Sequence, residues 1–408
     1  MEHIVASQIM SHLNKNNLLF DYQHGFRSKL STETQLLEFT TNMINGMRDG
    51  KQNDVVIMDF AKAFDKVSHQ KLLFKLRKYG IDETTCGWAE SFLLNRTQRV
   101  VVDGEHSEIG HVTSGVPQGS VVGPIFFLIY INDMPDYTKH STLRLFADNT
   151  IIYLSVESKG DCTKLQADLA ALEKWGLDWQ MEFHPSKCFV MRVTRKKKLI
   201  KFPYSLQGQV LSDTKATKYL GVTLSEDITW NKHIDSITSK ANRQLGFIKR
   251  NLKIKNQDLK TKAYKAYVRP TLEYCCSVWD PSQQKQIDQL EMVQRRAARW
   301  VLSDYGPQSS VSKMLQQLHW QELAYRRQHQ RLLLLYKIIH SLVLIKRDQY
   351  LRVQRNGIHI QNIHATQQYH QMSFFPRTIR EWNSLPDKVL KAPTLDSFKS
   401  GLMRCPLN

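Results

Sequence analysis

The sequence is poor in the features that would give it a covalent or membrane-bound architecture. Six cysteines are scattered over 408 residues. No Cys-x-x-Cys pair and no histidine pattern of zinc-finger spacing accompanies them, so neither a disulfide scaffold nor a structural zinc site is expected. A reducing intracellular setting, cytoplasmic or nuclear, fits best. Long apolar runs are also missing. Ile125–Ile131 is short and Leu332–Ile345 is interrupted by Lys337 and His340, so nothing here spans a bilayer and no membrane partner is expected. The opening MEHIVASQIMSHL is amphipathic and charged, without the apolar core of a signal peptide. Acidic residues are scarce beside basic ones, 38 against 57, a formal net charge of +19. That excess attracts polyanions in a salt-dependent way, nucleic acid first among them; a generally basic protein, or one drawn to anionic membrane surfaces, is the alternative. Repeats and low-complexity tracts are absent. What is plentiful is core material, 41% hydrophobic and 10% aromatic residues, enough for two or three lobes.

The patterning alternates. Ile4, Ile9 and Leu13 recur at helical spacing, Gly25-Phe26-Arg27 interrupts, and Leu36, Phe39 and Met43 resume the period. Asp54–Phe60 is a β-branched run that reads as a buried strand, followed by a helical segment from His69 to Tyr79. Arg99–Val102 and Glu108–Val112 read as strands joined at Asp103-Gly104, a hairpin signal. Ser120–Asn132 reads as a helix after a Gly/Pro-rich loop. Leu143–Tyr153 has two apolar arms around a polar centre, a hairpin with its acid at the turn. A helix over Cys162–Trp179 follows, then strand-like runs Phe189–Val193 and Tyr219–Leu224, with the basic stretch Arg195–Lys201 between them. Beyond Trp230 the period is helical to about Ile345, with Lys and Arg spread along it. From Arg347 onward periodicity is weak, and Pro376, Pro386 and Pro393 point to a loosely structured tail.

Asp59 ends one apolar strand and Asp148 tips a hairpin, both in surroundings that normally exclude charge. Acids at strand ends are common for structural reasons alone. An ionised carboxylate beside buried surface is also what a bound cation would stabilise, and two divalent ions held by acids on adjacent strands are a device for nucleotidyl transfer.

Three ordered stretches add to that reading: IMDFAKAFDKVSH (Ile57–His69), SGVPQGSVVGPIFFLIYINDMP (Ser114–Pro135) and LFADNTIIY (Leu145–Tyr153). In order and spacing they resemble the palm motifs of reverse transcriptases from non-LTR retrotransposons of the LINE or jockey type. The resemblance continues through QHGFRSKLSTETQLL upstream and HPSKCFVM, KYLGVTL, LEYCCSVWDP and FFPRTIREWNSLP downstream.

It implies an α+β fold: partial fingers over residues 1–53, a palm of antiparallel sheet with packed helices over 54–225, a helical thumb over 226–346 and an irregular tail over 347–408. It implies RNA-templated DNA synthesis with two Mg2+ ions, or Mn2+ in their place, and an RNA template, a DNA primer and deoxynucleoside triphosphates as partners. Asp59 and Asp148 would be the metal ligands, with the main-chain carbonyl of Phe60 as a further ligand. Phe64 would lie under the incoming sugar, where its ring clashes with a ribose 2′-hydroxyl; taken alone it is equally an apolar anchor. Gly115, Pro117, Gln118 and Gly119 would shape the nucleotide pocket, and Ser120 could cap the next helix. Lys187 would stand near the leaving pyrophosphate. Asp65 reads as structural, pairing with a neighbour. Lys249, Arg250, Lys253, Lys255, Arg295, Arg296 and Arg299 would track duplex phosphates, or else form ordinary solvated helix faces.

The sequence departs from the family in two ways. Asn149 stands where the hairpin normally carries a second aspartate, removing one charge from the site. The family's upstream endonuclease domain and early fingers do not precede Met1, so a truncated reading frame is expected, with later fingers from about Ile4 to Arg27. The alternative function is therefore a catalytically impaired remnant that binds RNA or RNA–DNA duplex. Oligomeric state is not legible.

Overall fold

The structure, a computed structural model, describes residues 1–355 and 357–405. Its helices and strands run in chain order as α1 (Glu2–Lys15), α2 (Thr32–Arg48), β1 (Gln52–Met58), α3 (His69–Lys78), α4 (Glu83–Leu93), then four two-residue strands, β2 (Thr97–Gln98), β3 (Val101–Val102), β4 (Glu105–His106) and β5 (Gly110–His111). There follow α5 (Gly123–Ile131), β6 (Thr142–Phe146), β7 (Asn149–Val156), α6 (Lys159–Trp179), β8 (Phe189–Val193), β9 (Ser205–Leu206), β10 (Gln209–Val210) and β11 (Ser212–Asp213). The chain divides into two compact units, residues 1–35 with 50–215, and residues 36–49 with 216–408.

In the first unit a five-stranded sheet is ordered β11-β8-β1-β7-β6, antiparallel except for the parallel pairing of β11 with β8. The run QNDVVIM of β1 is buried along its whole length, as expected of a central strand covered on both faces. Helix α5, GPIFFLIYI, is buried nearly all round and has Pro124 in its first turn, where no backbone donor is lost. Helix α6 packs on β7 and starts at a capping box between Ser158 and Asp161. Phe126, Phe127, Trp175 and Phe183 are core residues of this unit. The turn at Asp103-Gly104 forms, but its arms pair in two pieces, β3 against β4 beside the turn and β2 against β5 beyond it, so the expected arms Arg99–Val102 and Glu108–Val112 are not continuous strands.

The second unit takes in most of α2 and, from residue 216, a hairpin of β12 (Ala216–Tyr219) and β13 (Val222–Ser225). The Tyr219–Leu224 run is thus not one strand: Leu220 and Gly221 both have positive φ, 46° and 84°, and reverse the chain. The rest is helical: α7 (Asn231–Asn251), α8 (Gln257–Ala263), α9 (Arg269–Glu273), α10 (Cys276–Trp279), α11 (Gln284–Leu302), α12 (Val311–Gln317) and α13 (Leu323–Ile339).

The tail departs from expectation. Residues 350–355 and 357–367 are irregular apart from a bridge between Val353 and Ile360, but α14 (Gln368–Gln371), α15 (Phe374–Asn383), α16 (Asp387–Leu390) and α17 (Leu395–Arg404) follow. The prolines do not break these helices. Pro386 is the residue before α16, Pro376 lies in the first turn of α15, and Pro393 precedes the Thr394 cap of α17, all positions that need no backbone donor. Two of the four helices are single turns of four residues, and across the set Phe375, Ile379, Trp382 and Phe398 are buried. A buried ion cluster fixes α15 to α13: Asp280 meets Arg327 at 2.6 Å and Arg331, while Glu381 meets Arg331 at 2.5 Å and Arg377 at 3.3 Å. Pro406, Leu407 and Asn408, the end of the expected tail, lie outside the described residues.

All six cysteines are free thiols, and among the described residues no helix is long and apolar enough to cross a membrane.

Candidate active site

The sheet brings the two singled-out acids to one end. β1 pairs antiparallel with β7 up to Met58 opposite Thr150. One step further puts Asp59 opposite Asn149, beside the two-residue turn Ala147-Asp148 that closes the β6–β7 hairpin at the pair Phe146–Asn149. Both carboxylates are half-buried. Burial raises the Asp148 carboxyl above its ordinary range, and the negative charge of Asp59 adds to the shift.

Asp59 is held by its own backbone. Its carbonyl accepts from His184 N at 2.8 Å, Ala61 N donates to Glu182 O at 2.8 Å, and Phe60 bridges to Phe183, whose ring stacks on the Phe60 ring at 4.6 Å. The Phe60 side chain is therefore core, which leaves only its main chain for the role the resemblance implies. The same 182–188 segment carries Lys187, whose Nζ stands 3.6 Å from Asp59 Oδ2 with the lysine side chain largely exposed. Beneath it Cys188 is buried and its thiol is pushed up to about 11, so it stays protonated. Asn149 turns its amide back on its neighbour, donating from Nδ2 to Asp148 Oδ1 at 3.3 Å. Among the described residues no group of three or more His, Cys, Asp or Glu side chains forms a ready cation cage.

Phe64 is clamped. Its ring lies nearly parallel to Phe127 at 4.3 Å and meets the edge of the exposed Phe26 at 6.4 Å. The loop at Gly115–Gly119 is sewn to the chain after β1: Gly115 N donates to Val67 O at 2.7 Å and Val116 N to Phe64 O at 2.9 Å. Gly115 has φ +90°, and a Cβ there would lie 2.8 Å from the Asp65 carbonyl oxygen, so the approach requires glycine. Gln118 Nε2 donates to Asp65 Oδ1 at 3.0 Å, which gives Asp65 the neighbour it was expected to have. Gly119 takes φ +82° in open space. Ser120 Oγ accepts from Gly123 N at 3.1 Å, and Glu2 Oε2 accepts from Val121 N at 2.7 Å. The Glu2 contact joins residues 119 apart and has no signal in the sequence.

In the second unit, α7 and α11 lie side by side and bring some of the expected cations together. Arg296 donates to Asn242 Oδ1 at 3.0 Å, and Lys249 is lowered by burial and then by the charge of Arg296. Arg250 and Arg295 are exposed, while Arg299 turns toward the Gly306 carbonyl at 3.4 Å. An open groove of about 350 Å³ between the two helices is lined by Asn242, Asp288, Met292 and Arg296.

Residues 1–224 match the family described as Reverse transcriptase (RNA-dependent DNA polymerase). Curated relatives include the RNA-directed DNA polymerase from mobile element jockey of Drosophila melanogaster, 27% identical over 73% of this chain and 34% of its own length. The probable RNA-directed DNA polymerase from transposon BS of the same species is 26% identical over the same shares. The chain thus spans about a third of the length of these relatives. Among solved structures, apo telomerase from Candida tropicalis aligns with TM-score 0.44 at 10% identity, over 80% of this chain and 54% of that one, too loose a likeness to build on. With more than half of its residues inside one family's sequence pattern, the chain belongs to the reverse transcriptase family.

Proposed function

We propose that the protein carries out RNA-templated DNA synthesis by two-metal nucleotidyl transfer, with Asp59 and Asp148 as the acidic ligands. The observation that carries this reading is the meeting of the two half-buried carboxylates at one end of β1 and β7, where burial first, and the charge of Asp59 after it, raises Asp148. Two like charges in that setting are relieved by a cation. The donor set suits Mg2+, which is commonly bound by one or two carboxylates with water and substrate phosphates completing the shell. When bound, the ions supply charge stabilisation at the attacking and leaving oxygens.

The chain's own residues do the rest. Lys187, 3.6 Å from Asp59, balances that carboxylate and offers a cation to the departing pyrophosphate. Phe64, fixed by Phe127, presents a ring that cannot swing aside for a 2′-hydroxyl, which selects deoxynucleotides. The Asp65–Gln118 hydrogen bond holds the Gln118–Gly119 loop toward the nucleotide, and the Phe60 main chain, next to Asp59, serves the same nucleotide. Lys249, Arg250, Arg295, Arg296 and Arg299 contact phosphates of the RNA template and DNA primer without reading bases. The names fingers, palm and thumb, with the divisions expected from the sequence, belong to this reading.

A second reading rests on Asn149. Its amide offers Asp148 a donor at 3.3 Å where a carboxylate would add charge, which favours a protein that binds duplex but turns over poorly. Primer extension on poly(rA)–oligo(dT) with Mg2+ or Mn2+, run beside Asp59→Ala, separates the two. Extension that Asp59→Ala abolishes supports the polymerase; retained duplex binding without extension supports the binding remnant.

A further inference from the structure

The motif QHGFR has no role in the mechanism above, yet it lies against the turn that carries Asp148. Residues 22–24 run along the outer edge of β6 as a short parallel pairing. Leu145 N donates to Tyr22 O at 3.0 Å, His24 N donates to Leu145 O at 3.0 Å, and Gln23 bridges to Leu145. From this edge the Gln23 side chain, itself 2% exposed, reaches the turn. Its Oε1 accepts from Ala147 N at 3.0 Å and from Gly25 N at 2.8 Å. Two N–H donors converge on one atom, so that atom is the amide oxygen and the orientation of the amide is fixed.

The turn needs outside support. A two-residue hairpin loop ordinarily uses Gly or Asn where φ is positive. Here that residue is Ala147, at φ +51°, a conformation that alanine adopts only when its surroundings impose it. Gly25 closes the other side: a Cβ there would lie 2.4 Å from Ala147 N and 3.1 Å from Phe146 C. Those are backbone atoms, which cannot yield without moving the turn.

We propose that Gln23 is a positioning residue for the reaction, its amide oxygen and the close approach of Gly25 holding Phe146-Ala147-Asp148 so that Asp148 presents its carboxylate beside Asp59. The inference rests on the reading of Asp148 as a metal ligand. Gln23 touches neither metal nor substrate; it acts through the turn, as outer-shell partners orient a ligating side chain.

The test uses the full chain with two readouts that do not depend on turnover: Mn2+ binding followed by the electron paramagnetic resonance of the free ion, and hydrogen exchange of the peptide covering Leu143–Thr150. The variants are Gln23→Met, which keeps the shape and loses the acceptor, and Gln23→Glu, which keeps an acceptor. Gln35→Met is the comparison, because Gln35 Nε2 bonds to Leu145 O at 3.3 Å on the same strand without reaching the turn. Expected are faster exchange and Mn2+ binding weakened about tenfold in Gln23→Met, in the range found for outer-shell changes. Gln23→Glu should keep both, and Gln35→Met should keep Mn2+ affinity. Faster exchange with unchanged Mn2+ affinity in Gln23→Met, or loss of affinity in Gln23→Glu equal to that in Gln23→Met, overturns the positioning role while the metal reading stands. Wild-type Mn2+ binding that survives Asp148→Asn removes the metal reading itself, and the positioning role falls with it through a separate measurement.

Discussion

Asp54 and Asp59 belong to the same strand and its immediate exit, yet they live in opposite surroundings. Asp54 is fully buried within β1, and each of its oxygens is satisfied: Gln52 Nε2 donates to Oδ1 at 2.7 Å, Tyr204 Oη to Oδ2 at 2.8 Å, and Arg192 lies 4.0 Å away. Burial pushes its carboxyl up, while those hydrogen bonds and the Arg192 charge pull it back. Asp59 is half-exposed, with Lys187 at 3.6 Å and the like charge of Asp148 beside it. The same side chain is a structural plug in one place and an unsettled charge in the other. Sequence context, a β-branched run around both, does not separate them; the partners do.

Stability is where the contrast should be largest. Asp54→Ala leaves Tyr204 Oη without its acceptor in the core and deprives Gln52 and Arg192 of a partner, at a cost of about 3 kcal/mol. Asp59→Ala removes repulsion and should melt at or slightly above the wild-type temperature in the absence of metal. Thermal melts of both in EDTA give the answer; equal destabilisation would mean that Asp59 is structural too.

A buried lysine sharpens the comparison from the cationic side. Lys75 is fully buried, donates to Asp133 Oδ1 at 2.6 Å and to Tyr130 O, and sits 3.5 Å from the centre of the Trp179 ring. Lys75→Met leaves Asp133 with the Trp175 Nε1 donor at 3.0 Å and should cost about 2 kcal/mol. Burial lowers Lys75 to about 8, against the Coulombic pull and hydrogen bond of Asp133. The unfolded chain therefore binds the proton more tightly, so this group's contribution to stability rises as pH goes from about 8 toward the ordinary lysine value of 10.5. Lys75→Met should lack that rise. Denaturant midpoints at pH 8 and pH 9.5 would show the gap to wild type widening; a constant gap would contradict the depressed lysine.

Which of these features could be read beforehand follows from how local they are. The strand exit at Asp59 and the hairpin tip at Asp148 were legible from local pattern, but what set these two acids apart from Asp54 was the order of the three motifs; the antiparallel pairing of β1 with β7 then brings them to one end. The turn at Asp103-Gly104 was legible from local pattern too. The helices of residues 368–404 were not, because their prolines mark starts rather than stops and two of the four, α14 and α16, are single turns of four residues. Gln23, Glu2 and Lys75 were silent because their partners lie 124, 119 and 58 residues away. A glutamine that accepts from a strained turn looks, in sequence, like any surface glutamine.

Asn149→Asp asks how much charge the open end of β1 and β7 tolerates. A third acid beside Asp148 and Asp59 should lower the melting temperature in EDTA and restore it when Mg2+ is added. In the same protein primer extension should rise by on the order of tenfold, the equivalent of about 1.4 kcal/mol. If Mg2+ restores stability while extension stays at the wild-type level, charge at this position is not what limits turnover.

The smallest effect is expected on the second unit's surface, where the contrast between settled and unsettled charge recurs among arginines. Arg327 and Arg331 are buried against Asp280 and Glu381 and serve the fold. Arg296 donates to the neutral Asn242 Oδ1 at 3.0 Å, has no ion pair among the described residues and stands on the edge of the α7–α11 groove, so its charge remains available to a phosphate. Arg296→Ala should therefore change stability by no more than about 0.5 kcal/mol. If Arg296 contacts a phosphate, the slope of log affinity for RNA–DNA duplex against log salt should fall by about one. An unchanged slope would assign Arg296 to the solvated face of α11, leaving Arg250 and Arg295 as the next cations to examine.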